Sequence, residues 1–122
     1  MRLLQVSSSL FITVIFHAYY VNDYIYHHLS LLITFLSLLT HQEKPNKIIR
    51  FIDKVVAQST YMYINIYDTP VVIHTNKIII IAPISILVIY IYEFIYPKYS
   101  KWLHMMLHLI SVITLHLYLQ LK

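Results

Sequence analysis

The sequence predicts an all-α protein: a polytopic transmembrane helix bundle of about five spans, with its N-terminus in the cytosol and its C-terminus outside. Three observations carry this. First, 59% of the 122 residues are hydrophobic and 11% are charged, with mean hydropathy +0.67, a balance that belongs in a bilayer and not in a soluble core. Second, polar breaks divide the chain into apolar runs close to the roughly 20 residues that a span needs. Third, the basic residues gather on one side of the resulting topology. The length fits one domain, residues 1–122.

The first span runs from about Leu3 to Val21 and ends at "VNDY", where Asn22 and Asp23 supply turn chemistry. It lacks an A-x-A cleavage site, so it is expected to stay as a retained helix. The second covers about Tyr24 to His41. A polar loop, "QEKPN", follows; its Pro45 and Asn46 form a stop and a helix N-cap, so the third span should run from Lys47 to Tyr67. After the connection "VVIHTN" the fourth span takes residues 77–96, and Pro83 should kink it. In a soluble protein its β-branched run would suggest a buried strand, but its length and lack of turn signals favour a helix. The fifth begins after "PKYSK", with Trp102 and neighbouring tyrosines placed for an interfacial belt.

Five spans put the termini on opposite faces. Arg2, Lys44, Lys47, Arg50, Lys54, Lys98 and Lys101 fall on or near the N-terminal face, against Lys77 and Lys122 on the other. The N-terminal face is therefore expected to be cytosolic. The net charge is +4 with a pI near 9.3, yet the basic residues lie beside apolar runs and form no basic face, which argues against nucleic acid as a partner. Cysteine is absent, excluding disulfides, thiolate metal sites and a cysteine nucleophile. Any metal must be held by histidine and carboxylate. Glycine is absent too, so close helix contacts fall to Ser, Ala and Thr. A bundle this small leaves room for a second copy of the chain to close a cavity.

Ionisable groups inside spans are costly and point to function. Ser37 and His41 end the second span at the N-terminal face, Asp53 lies in the first two turns of the third, and His104 and His108 in the first two turns of the fifth. At 1.5 Å per residue, groups within about seven residues of a helix start share a band roughly 10 Å deep. Ser37 and His41 are spaced i, i+4, as are His104 and His108, so each pair shares one helical face. Two imidazoles at that spacing can hold one metal ion, with His41 as a third nitrogen. Three histidines leave the fourth zinc position for water, which the ion acidifies toward neutral pH. Asp53 would act as general base, and the Ser37 hydroxyl would hydrogen-bond the water or an oxyanion.

Taken singly, these residues also fit interfacial histidines, a histidine bonded to a neighbouring helix, and an aspartate paired with Lys54, Arg50 or Lys47. Their shared face and depth favour the site. His17, His27, His28 and His74 fall toward the opposite face, and His116 lies two turns beyond His108. Glu93 is expected to snorkel toward Lys98 or Lys101.

The order S-x3-H, then Asp, then H-x3-H, here "SLLTH", "RFIDK" and "HMMLH", resembles the membrane superfamily of alkaline ceramidases, progestin and adiponectin receptors, hemolysin III proteins and GPI-lipid remodelling hydrolases. The resemblance implies Zn2+ bound by His41, His104 and His108, with Asp53 and Ser37 assisting the bound water, and hydrolysis of a lipid amide or ester. Members of that superfamily usually have seven spans, two more than are counted here. An even difference leaves the last helix starting from the same face.

Two other functional classes fit the composition. One is a non-enzymatic membrane component, such as a haem- or quinone-binding anchor subunit with axial histidines on facing helices. The other is a structural membrane protein without chemistry.

Overall fold

The computed structural model describes residues 2–41 and 46–122, and the described residues contain no strand. The loop residues Gln42 to Pro45, including Lys44, lie outside the described residues. The helices are α1 (Arg2–Ser9), α2 (Phe11–Tyr20), α3 (Tyr24–Thr40), α4 (Lys47–Tyr67), α5 (Thr69–Thr75), α6 (Ile81–Ile95) and α7 (Ser100–Leu121). Short 3-10 turns at Lys77–Ile80 and Pro97–Tyr99 lead into α6 and α7.

The first expected helix is broken at Leu10. Ser7 and Ser8 both donate to the Leu4 carbonyl, Ser9 donates to Val6 O, and Thr13 donates to Leu10 O. Such back-bonding competes with the helix ladder and bends it. At the break the Leu10 amide reaches Ser7 O, three residues back. Asn22 then turns the chain at φ 62°, a left-handed conformation that asparagine tolerates, and Asp23 caps α3 by accepting from the Tyr26 amide. The side chain of Asn46 caps α4 through the Ile48 amide, as the sequence predicts.

Two expectations change in the second half. The connection "VVIHTN" is helical: Pro70 starts α5 in its first turn, where a missing N–H costs nothing. Pro83 does not kink a long helix, because it sits in the first turn of α6, just after the 3-10 segment.

Side-chain contacts give the packing directions. Ser7 meets His108, Thr13 meets His116 and Asp23 meets Lys122, so α1 and α2 run parallel to α7. Gln58 meets Tyr90 and Tyr61 meets Pro83, so α4 and α6 are antiparallel. A core of Phe11, Val14, Ala18, Tyr26, Val72, Val112, Leu115 and Tyr118 fills the space between α2, α3, α5 and α7. By contrast, α4 buries Thr60 alone and α6 buries Pro83 and Ile89. Their outer faces carry exposed Ile48, Phe51, Val55, Ile66, Ile84, Leu87 and Ile91, a pattern suited to a non-aqueous surround.

Two helical stretches, Lys77–Ile95 and Pro97–Leu121, are long and apolar enough to cross a membrane, and the apolar Tyr24–Thr40 helix is shorter.

Candidate metal centre

The site forms where the end of α3 meets the start of α7. The chain leaves α3 at His41, whose amide still bonds Ser37 O at 3.1 Å, and this places the ring beside α7. On α7, His104 and His108 are one turn apart and stack toward the same side. One ligand atom from each of His41, His104 and His108 lies within 4.8 Å of the others. The rings pack edge to face: the centroids are 4.5 Å apart for His104 and His108, 5.0 Å for His41 and His104, and 5.4 Å for His41 and His108. His41 and His108 are buried, at 7% and 8% exposure, and His104 is half-buried.

Hydrogen bonds decide which nitrogens remain free. His108 Nδ1 is 2.8 Å from Ser7 Oγ. The Ser7 proton is directed to Leu4 O, so the imidazole N–H donates to the hydroxyl oxygen. His104 Nδ1 lies 3.1 and 3.3 Å from the two oxygens of Glu93. A carboxylate only accepts, so His104 donates as well. In both rings Nε2 is left with its lone pair. His41 Nε2 is buried with no hydrogen-bond partner among the described residues. An orphaned buried imidazole nitrogen is expensive unless something outside the protein satisfies it. Nitrogen donors of this kind suit zinc and other first-row transition metals, so the residues present fit a bound metal ion.

The remaining predicted residues surround this cluster. Ser37 is buried and 2.7 Å from Ser8 Oγ. Ser8 is fully buried and donates its own proton to Leu4 O at 2.7 Å, so Ser37 donates to Ser8 and keeps its lone pairs. Asp53 is half-buried on α4. A cavity of about 400 Å3 is lined by Asp53, Ser37, His104 and His108 at one end. It runs between α4 and α6 past Ala57, Ile64 and Ile86 to Asn65 and Tyr118 near the other.

Ser7 and Ser8 at the site were not singled out from the sequence, and Glu93 was given a different partner. The run "SSS" in an otherwise apolar segment was a signal for the first two, at the same depth as His108. Glu93 bonds His104 and accepts from Ser100 Oγ at 3.1 Å, in place of the expected Lys98 or Lys101. Glu93 and His104 stand about equally far from the Pro97–Tyr99 turn, and that symmetry across a helical hairpin was the available clue. The other histidines stay apart from the cluster, as expected. His17 and His116 stack at 5.0 Å with their Nδ1 atoms 2.8 Å apart, and His116 Nε2 meets Thr13.

Comparison with known protein families, with curated proteins and with solved structures finds no match.

Proposed function

We propose that this chain is a compact zinc-dependent lipid hydrolase, held in a bilayer by five spans with its N-terminus in the cytosol. It cleaves an amide or ester bond near the cytosolic headgroup region. The observation that carries this reading is the convergence of His41, His104 and His108, with His104 and His108 lining one end of a mainly apolar cavity. The similarity of "SLLTH", "RFIDK" and "HMMLH" to the ceramidase, receptor and hemolysin III superfamily supports the same reading.

His41, His104 and His108 would hold the ion. A bound zinc ion supplies Lewis acidity toward a carbonyl and a nucleophile at neutral pH. The protein's own groups do the rest. The Asp53 carboxylate, on the cavity wall, takes a proton from the attacking water and returns it to the departing amine or alcohol. Ser37, whose proton is committed to Ser8, offers its lone pairs to the water and holds its orientation. The apolar walls, including Ile33, Ala57, Ile64 and Leu115, accept the hydrocarbon part of the lipid and keep bulk water from the reacting carbonyl.

The edge-to-face packing of the three rings favours a small ion over a haem, because it provides no slot between facing imidazoles for a planar macrocycle. The test is elemental mass spectrometry on detergent-purified protein. About one zinc per chain is expected, lost when His104→Ala and His108→Ala are combined. A metal-free wild-type protein, or undiminished lipid hydrolysis by His104→Ala, would remove the proposal.

A further inference from the structure

We propose that Glu93 is a positioning residue of the metal centre, orienting His104 and supplying negative charge to it through α6; this rests on the metal reading of the histidine cluster. Glu93 interrupts the otherwise apolar run of α6. An acidic side chain in such a segment is costly, and it persists where partners satisfy it. Here both carboxylate oxygens face His104 Nδ1, at 3.1 and 3.3 Å, and Oε1 also accepts from Ser100 Oγ at 3.1 Å. Ser100 and His104 are one turn apart on α7, so the helix start presents two donors to a single carboxylate.

Three consequences follow from this geometry. An acceptor at Nδ1 holds the proton there and leaves Nε2 as the nitrogen free to ligate. A carboxylate behind an imidazole raises its basicity and stiffens the ring. Finally, three neutral imidazoles do not offset the charge of a divalent ion in a poorly screened site, whereas a carboxylate hydrogen-bonded to one of them does so in part. Ser7 plays the orienting part for His108 with a neutral hydroxyl, so of these two bonds only the Glu93 bond contributes charge.

The test titrates the full chain in detergent with cobalt(II), read by its d–d absorption, and with zinc(II) in competition with a chelator. Glu93→Ala is expected to weaken both metals about 10- to 100-fold, with the shape of the cobalt spectrum retained. Glu93→Gln should fall between it and the wild type, because its amide oxygen still accepts from Nδ1–H but carries no charge. Ser100→Ala, which leaves ligand and carboxylate in place, should weaken binding several-fold and stands in if Glu93→Ala does not fold. Unchanged affinity in Glu93→Ala, or in Ser100→Ala where that variant carries the test, overturns the positioning role while the metal reading stands. A changed cobalt spectrum in Glu93→Ala overturns it differently, by making Glu93 a direct ligand. Wild-type protein that takes up neither metal ends the metal reading itself, and this proposal with it.

Discussion

Ser7 Oγ lies 2.8 Å from His108 Nδ1, a contact that ties the first helix to the last inside the buried part of the site. It is the acceptor for a buried imidazole N–H, and the next acceptor, Ser8 Oγ, stands farther off at 3.5 Å. Ser7→Ala should therefore destabilise the protein by about 1–3 kcal/mol, the range for a buried donor left unpaired. Thermal unfolding in micelles measures this; Ser7→Thr, which keeps the hydroxyl, should recover most of the loss. An Ala variant as stable as the wild type would mean that His108 finds another partner.

Asp53 separates chemistry from metal binding. If Asp53 is the general base of the proposed hydrolysis, Asp53→Asn should lower lipid hydrolysis by about 10²- to 10⁴-fold. Zinc content should stay at the wild-type level, because the ligand atoms come from α3 and α7. Loss of zinc in this variant would instead make Asp53 a ligand.

At the opposite end of the bundle, Tyr26 OH donates to Asp68 Oδ2 at 2.6 Å, and Lys122 Nζ lies 2.8 Å from Asp23 Oδ2 and 3.5 Å from Asp68 Oδ1. The ammonium also sits 4.1 Å over the Tyr26 ring. Tyr26 is 1% exposed, so Asp68→Ala strands its hydroxyl and should destabilise by about 1–3 kcal/mol. Removing the hydroxyl as well, with Tyr26→Phe, should make the double variant more stable than the sum of the single losses implies. A double-mutant cycle by chemical denaturation checks the coupling; strict additivity would show that the hydrogen bond carries no net stability.

The proposed topology puts the 3-10 turns before α6 and before α7 on opposite sides of the membrane. The chain contains no cysteine, and Lys77 and Lys98 are both exposed, which makes single-cysteine labelling direct. A membrane-impermeant maleimide on intact cells should label Lys77→Cys and spare Lys98→Cys, with the reverse in inside-out vesicles. Labelling of both from one side would show that α6 does not cross.

The histidine cluster was legible because two kinds of regularity coincide. His104 and His108 repeat with the helical turn, and counting segments brings His41 to the same end of the bundle. The cap at Asn46 was legible for a local reason, since its side chain bonds an amide two residues away; Asp23, read only as turn chemistry, caps α3 as well. The break at Leu10 was not anticipated, because hydropathy reads the first segment as continuous and takes no account of serine back-bonding. Likewise α5 was read as a connection: its seven residues fall below the length at which periodicity is informative.

Composition and spacing by themselves determined that the chain is helical and apolar, and that three imidazoles can share one depth. Those properties depend on the identity of side chains and on a rise per residue that every α-helix obeys. Only the tertiary structure decided that α1 lies parallel to α7, that Ser7 and Glu93 hold the two α7 imidazoles, and that α4 and α6 flank a cavity. Helices of similar apolar character can pack against one another in many orders. The order chosen here depends on contacts such as Ser7 with His108 and Tyr26 with Asp68, whose partners lie 101 and 42 residues apart. No local pattern in the chain encodes distances of that kind.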